Sequence, residues 1–324
     1  MNVLVTGGAG YIGSHVVRML LKRNHSVVII DNLSRGHIES LPEGVKFEQV
    51  NLLDYDDLRT AISSHKIDAV IHFAAFAYVG ESVENPGLYY VNNVTGSINL
   101  IRALNENNIK KIVFSSTCSL YGNPGHVPIS EKEKLNPINP YAKTKYFIEQ
   151  VLSDFDVSFG MKYAALRYFN AAGADFDGII GESHEPEPHL IPIVLQAALG
   201  KREKVMIFGD DYQTEDGTCI RDYIHVYDLA DAHIKALEYL NNGGESTVIN
   251  LGTGTGYSVK EIIESARRIT EREIKAVISE RRAGDPAILI ADNKKAGEVL
   301  GWIPKYGLDD IIKSAWRWHQ NPKY

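Results

Sequence analysis

Strand-like runs rich in apolar residues punctuate this chain at 2–6, 26–30, 45–50, 68–73, 110–116 and 163–168, and their length and composition suit β-strands. Between them, apolar residues recur with helical spacing at about 11–23, 54–64, 86–107 and 140–158. Strand and helix alternating in this way predict an α/β protein, an open doubly wound parallel sheet with helices on both faces. Ligands of such sheets lie beyond the carboxyl ends of the strands, so the loops after residues 6, 30, 50, 73, 116 and 168 should share one rim. Past residue 169 the texture changes. Gly, Asp, His and Pro crowd 170–192, and 209–218 reads as an acidic loop. Alternation resumes over 219–250 with a helix near 227–241, and further helices are expected at 258–270, 293–300 and 308–319. The predicted division is a larger domain over 1–169, to which the chain returns near 225–250, and a smaller substrate lobe over 170–324. The cleft between them is the expected ligand site.

The first run ends in a turn with a specific use. Val3-Leu4-Val5-Thr6 leads into Gly7, Gly10 and Gly13, and a helical stretch opens at Tyr11 and Ile12. Glycines at this spacing permit a tight strand-to-helix turn, close approach of backbone N–H groups to a pyrophosphate, and packing of helix on strand. The second run, Val27-Val28-Ile29-Ile30, ends in Asp31, where a carboxylate would accept the hydroxyls of an adenosine ribose. This combination marks a Rossmann-type dinucleotide domain over 1–169. An acid at that point repels a 2′-phosphate and favours NAD over NADP, although Arg35 stands close by.

A second constellation is Tyr141-Ala142-Lys143-Thr144-Lys145, which follows Asn139-Pro140, where proline suits a helix start. Tyr141 and Lys145 are four apart and so point the same way on a helix. An ammonium near a phenol favours the phenolate and lowers its pKa from the usual value of about 10. The positive nicotinamide ring of NAD+ would push the same way, giving a base beside a hydride acceptor. Thr117 follows Ser115-Ser116 onto the predicted rim. Its hydroxyl can bond a substrate oxygen and relay the proton of Tyr141, or it can cap its own backbone.

Composition narrows the remaining classes. A formal net charge of −7 argues against a general nucleic-acid or membrane-surface binder. With 44% hydrophobic and 23% charged residues the chain has the balance of a globular protein rather than a disordered one. No apolar run approaches a membrane span. Cys118 and Cys219 have no metal-ligand spacing and form no disulfide framework, so no metal is expected and a reducing compartment fits. Met1 stands directly before the first run, leaving no room for a signal peptide, and a cytoplasmic location is expected.

The glycine turn, the Ser115-Ser116-Thr117 strand end, Tyr141 with Lys145, and Arg167-Tyr168-Phe169-Asn170 together resemble the extended short-chain dehydrogenases/reductases. Three further stretches look like the UDP-galactose (UDP-glucose) 4-epimerases within that group. They are Thr214-Glu215-Asp216-Gly217-Thr218-Cys219-Ile220-Arg221-Asp222-Tyr223-Ile224-His225-Val226, Arg282-Ala283-Gly284-Asp285, and Tyr89-Tyr90-Val91-Asn92-Asn93. The likeness runs essentially end to end. It implies that one tightly held NAD oxidises C4 of a UDP-hexose, that the 4-keto sugar turns over in the cleft, and that the hydride returns to its other face. UDP-glucose and UDP-galactose would be interconverted, with N-acetylhexosamine and pentose forms left open. By the same resemblance Tyr141 is the base, Lys145 tunes it and bonds the nicotinamide ribose, and Thr117 is the hydroxyl partner. Cofactor contacts would come from Gly7, Gly10, Tyr11, Ile12, Gly13, Asp31, Asn32, Asn51, Leu52, Phe73, Ala74, Ala75, Asn92, Ser115 and Tyr168. The nucleotide-sugar would meet Phe169, Asn170, His189, Leu190, Val205 to Phe208, Arg221, Tyr223, Arg282 and Asp285, besides Thr117 and Tyr141. Arg221 and Arg282 can clamp a diphosphate and Asp285 can accept a ribose hydroxyl; without the resemblance they would read as surface ion pairs.

Several positions depart from that pattern. Asn51 stands where many members carry aspartate, Ala77 where some place a lysine, and His189 where asparagine is frequent. Leu289 aligns with a residue that gates substrate size, and leucine is intermediate between the large and small choices. Another NAD-dependent nucleotide-sugar epimerase or a 4,6-dehydratase on this fold is the enzymatic alternative. Dehydratases put Asp-Glu after the threonine, where this chain has Cys118-Ser119, neither of which is a carboxylic acid. A non-catalytic NAD-sensing protein would need neither the Tyr141–Lys145 pair nor the two arginines. The resemblance also implies a homodimer through the helices at 86–107 and 140–158. Val94, Ile98, Ile101 and Leu104, and Tyr146, Gln150, Val151 and Leu152, fall at helical spacing there, although each helix has its own sheet to cover.

Overall fold

The computed structural model describes residues 1–282 and 285–324. Seven strands form one sheet in the order Thr247–Leu251, Lys162–Tyr168, Lys111–Ser115, Ala69–His72, Asn2–Thr6, Ser26–Asp31, Lys46–Gln49. Every pairing in it is parallel. The sheet grows to one side of Asn2–Thr6 through the second and third strands and to the other through the fourth. Strand order therefore reverses between Asn2–Thr6 and Ala69–His72, and a crevice forms at the carboxyl ends there.

The two faces are built from alternate residues of the same strands, as a period of two requires. Val3 and Val5 share a core with Val16, Val17 and Leu20 of the helix Tyr11–Lys22 and with Leu229, Ile234 and Leu237 of Val226–Asn241. Leu4 joins the opposite core, with Leu58 and Ile62 of Tyr55–Ser63, Leu100 and Leu104 of Gly96–Glu106, and Ile148 and Leu152 of Pro140–Phe159. The doubly wound α/β arrangement expected from the pattern is the arrangement found.

A third core belongs to the later part of the chain. There the helices Leu190–Ala198, Val259–Thr270 and Leu308–Gln320 pack around the parallel pair Val205–Phe208 and Ala276–Ser279. Val226–Asn241 covers one face of the first sheet and Thr247–Leu251 forms its edge. Ala296, Leu300 and Trp302 lie in that first core as well.

Local departures from the expected elements have identifiable causes. The helix expected over 86–107 is a turn at Pro86–Tyr89, a wide π-helical turn at Tyr90–Thr95, and an α-helix only from Gly96 to Glu106. Buried Asn93 sits in the wide turn and bonds the Phe76 backbone through both ends of its amide, and it also donates to Thr144. Tertiary bonds of this kind leave no periodic trace. The helix Leu190–Ala198 begins inside the stretch read as irregular, and the short strands of the second lobe were too brief to show alternation. Among the described residues, no helix is long and apolar enough to cross a membrane. Ala283 and Gly284 of the Arg282–Asp285 run lie outside the described residues.

Candidate active site

The glycine turn joins Asn2–Thr6 to Tyr11–Lys22 at the sheet's reversal point. A Cβ on Gly13 would stand 2.1 Å from the Gly7 carbonyl oxygen, so the chain's own packing forbids a side chain there. Gly10 is different. Its φ of −81° is open to any residue, and an added Cβ would meet only the Gly7 carbonyl oxygen at 3.4 Å, an ordinary contact. Neither backbone strain nor internal packing accounts for glycine at position 10. Close approach of an outside group does, just where the first helical N–H groups lack intrahelical partners and attract an anion. The residues present therefore fit a dinucleotide pyrophosphate.

The flanking positions agree with that fit. Asp31 closes the second strand, accepts N–H bonds from Ala9 at 3.0 Å and Leu33 at 2.8 Å, and is buried. Burial raises its pKa while those backbone bonds oppose the rise. Each carboxylate oxygen keeps a lone pair for a further hydroxyl. Arg35, the residue that left a 2′-phosphate in play, is engaged elsewhere: it pairs with Glu81 at 2.6 Å and lies over the Phe76 and Tyr78 rings. Asn32 and Asn51 each turn their amide oxygen onto the N–H two residues on, and Leu52 packs into the second core. Phe73 and Ala74 donate their N–H groups to the Thr6 carbonyl, which seats them and half-buried Ala75 against the glycine turn. Ile12 packs against the first core, Tyr11 donates its hydroxyl to Gly173 O at 2.6 Å, and Asn92 donates to Asn93 at 3.0 Å.

The tyrosine–lysine pair is placed by a helix start. Asn139 caps Pro140–Phe159 by accepting the Ala142 N–H at 2.8 Å, with Pro140 in the first turn. Tyr141 and Lys145 then project from consecutive turns, both buried. Lys145 Nζ donates to Ser115 O at 2.8 Å and lies 6.0 Å from the Tyr141 ring centroid. The expected lowering of the phenol pKa is not what this pocket does. Burial raises it, neighbouring Tyr168 adds to the rise, and a hydrogen bond with Thr117 opposes it. Burial also pulls Lys145 down to about 7, against the pull of Glu149. Thr117 caps its own backbone by accepting the Ser119 N–H at 3.1 Å, and its hydroxyl also meets Tyr141. Ser115 bonds the Tyr168 hydroxyl at 2.9 Å, which fixes that ring over the strand ends.

Beneath these groups lies a buried network with no periodic signature. Glu149 accepts from Ser116 Oγ at 2.5 Å and pairs with Arg167 at 2.5 Å. Arg167 reaches the Tyr121 hydroxyl at 3.1 Å, and Tyr121 donates to Asn250 at 2.7 Å. It braces the strand end that carries Thr117.

On the opposite wall, Asn170–Ala172 pairs in parallel with Tyr223–His225, and Phe169 before that pair packs against Cys118 and Tyr121 of the Thr117 loop. Phe169, Cys118, Tyr121 and Leu289 share one small cluster. Cys118 is buried and its thiol is pushed up to about 12 by that burial, so it offers no usable acid. Arg221 and Asp285 pair with each other at 2.9 Å, and Arg282 lies over the Phe208 ring at 4.1 Å, on the strand that begins at Val205. His189 precedes Leu190 at the start of Leu190–Ala198 and faces Glu182 at 2.7 Å and Glu187 at 2.8 Å. Glu182 and Glu187 were not singled out in the sequence; the spacing E-x-H-x-x-E-x-H over 182–189 was the available signal.

A dinucleotide turn, a tyrosine–lysine pair on one helix and an opposed polar wall define a dehydrogenase-type centre. The NAD dependent epimerase/dehydratase family matches residues 3–252. Over 321 residues the chain is 54% identical to the UDP-glucose 4-epimerase of Halalkalibacterium halodurans, covering 99% of this chain and 96% of that one. A solved UDP-glucose 4-epimerase at 50% identity superposes with a TM-score of 0.97 over 99% of this chain and 98% of its own. The Brucella ovis UDP-glucose 4-epimerase, solved in complex with NAD, is 49% identical over 97% of each chain, with a TM-score of 0.95. The chain belongs to the NAD dependent epimerase/dehydratase family.

Proposed function

We propose that this protein is an NAD-dependent isomerase that interconverts UDP-glucose and UDP-galactose by transient oxidation at C4. The observation that carries the reading is the meeting of Tyr141, Thr117 and Lys145 at the strand ends beside a glycine turn fitted to a pyrophosphate. Relatives of about half-identical sequence that are UDP-glucose 4-epimerases support it. Bound NAD would supply the hydride acceptor at C4. Tyr141 takes the C4 hydroxyl proton and later gives it back, and Thr117 orients that exchange through its hydrogen bond. Lys145 sets the field at the phenol. Residues 1–169 with the returning segments would hold the dinucleotide, and 170–324 the nucleotide-sugar, with Arg221 and Arg282 on its diphosphate. The test is to add UDP-glucose to purified protein. UDP-galactose should form, together with a small nicotinamide-reduction signal from tightly bound cofactor; neither appearing would refute the reading.

Leu289 packs beside Phe169 and Cys118, next to Thr117, which supports its role as a gate on sugar size. Leu289→Tyr should cut kcat/KM for UDP-N-acetylglucosamine at least about tenfold relative to UDP-glucose, because added bulk meets the larger substituent first. Equal losses on both sugars would remove Leu289 from the gate.

The proposed assembly is a homodimer, with three of the residues first suggested excluded from the contact. Ile101, Leu104 and Leu152 are fully buried in their own sheet's core. Exposed apolar side chains include Val83, Leu88, Val91 and Phe147, with Tyr90 against Phe147. A second copy covering this patch would bury it across a two-fold axis. Phe147→Asp should convert the dimer to monomer in light scattering and reduce turnover, since the same helix carries Tyr141. A wild-type monomer at assay concentrations would refute the assembly.

A further inference from the structure

Apart from the acid–base pair, the densest group of ligating side chains lies in the segment between Asn170–Ala172 and Leu190–Ala198. One donor atom from each of Glu182, His184, Glu187 and His189 lies within 4.8 Å of the other three. His189 Nδ1 is 2.7 Å from Glu182 and 2.8 Å from Glu187; His184 Nδ1 is 3.2 Å from Glu182 and 3.7 Å from Glu187. Both carboxylates are buried, at 4% and 7% exposure. Two buried carboxylates side by side repel, and the site must supply positive charge between them.

Hydrogen bonding alone explains this arrangement poorly. His184 Nδ1 is buried and has no hydrogen-bond partner, although a carboxylate oxygen is 3.2 Å away. An N–H on that nitrogen points past the carboxylates instead of at one. Atoms that converge on a common centre behave this way. Four ligands at a tetrahedral ion, with bonds of about 2.0–2.2 Å, stand roughly 3.3–3.6 Å from one another, within the span of the distances seen here. We propose that Glu182, His184, Glu187 and His189 form a closed, four-coordinate site for a divalent transition-metal ion, with zinc the best match. Two imidazoles and two carboxylates suit zinc, and they leave the filled site electrically neutral.

Features around the cluster support a structural ion rather than a catalytic one. All four positions are filled by the chain, so no place remains for a substrate oxygen. The Glu187 carboxylate is oriented by the His189 N–H at 2.9 Å, a support of the kind metal ligands need. His184 packs edge-on against Tyr11, which follows Gly10, and against Tyr78. His189 stands at the start of the second lobe's first helix and is partly open to solvent, which gives an ion a way in. An ion here would tie the substrate lobe to the wall behind the dinucleotide turn. This assignment is independent of which sugar the enzyme uses.

The test uses the full chain purified without a polyhistidine tag. After treatment with chelator, separate portions are incubated with Zn2+, Mn2+ or Mg2+, desalted and analysed for metal. About one zinc per chain should be retained, no magnesium, and zinc should raise Tm by roughly 5 °C over the chelated protein. Co2+ in place of zinc should give the intense visible bands of a four-coordinate ion, and His184→Asn should abolish them. If that variant fails to fold, the wild-type Co2+ spectrum decides alone, since weak six-coordinate bands or none would overturn the site. Zinc that washes off, with Tm unmoved between zinc and chelator, would equally overturn it and leave a network of proton-bridged ion pairs.

Discussion

Tyr141→Phe should fold, keep its dinucleotide and lose about a hundred- to ten-thousand-fold in kcat, the usual contribution of a positioned acid–base group. The substitution removes one oxygen from a ring that is 6% exposed and leaves the packing intact. The Thr117 hydroxyl loses Tyr141 but keeps the Ser119 N–H, so the strand end should not unravel. Because the missing oxygen acts on the C4 proton and not on the diphosphate, the deficit belongs in kcat, with KM little changed. In energy it is about 3–5 kcal/mol of transition-state stabilisation. Steady-state assay, circular dichroism and nucleotide content of the purified variant together separate lost chemistry from lost structure. Turnover near that of the wild type would remove Tyr141 from the proposed role.

The parts of this centre that were legible beforehand are those whose spacing is itself the signal. Gly7, Gly10 and Gly13 follow a strand and open a helix, and Tyr141 and Lys145 are four apart beyond a proline. The first strand was likewise legible as the continuous apolar run Val3-Leu4-Val5, because it is covered on both sides. Residues that act through long-range contacts left no such trace. Asn93 holds the wide turn at Tyr90–Thr95 by bonds to Phe76 and Thr144, and nothing in its neighbours in sequence foretells those partners. Glu149 and Arg167 are 18 positions apart and meet only because a helix returns over the next strand. Charge state was the least legible property. Spacing correctly put an ammonium near a phenol, but only burial of the whole pocket reveals that both groups are pushed toward their neutral forms.

That electrostatic result determines what Lys145→Met should do. In the wild type a protonated Lys145 favours the phenolate, and the positive nicotinamide ring acts in the same direction. With methionine in place of lysine the first of these fields is lost, while burial continues to favour the neutral phenol. The phenol must then be ionised by hydroxide, so the active fraction grows by about tenfold per pH unit below its pKa. The expected result is a fall in kcat of about a hundredfold or more at neutral pH, with recovery on the alkaline side. Lys145 also donates to the Ser115 carbonyl, and losing that bond leaves a buried acceptor unpaired, at a stability cost of about 1–3 kcal/mol. A cost of that kind lowers Tm but does not tilt a pH profile, which is how the two roles are told apart. Kcat measured from pH 6 to pH 10, with Tm followed in parallel, gives the decision. A variant whose loss is the same at every pH would make Lys145 a support for the Ser115 carbonyl and leave the ionisation of Tyr141 to the nicotinamide ring alone.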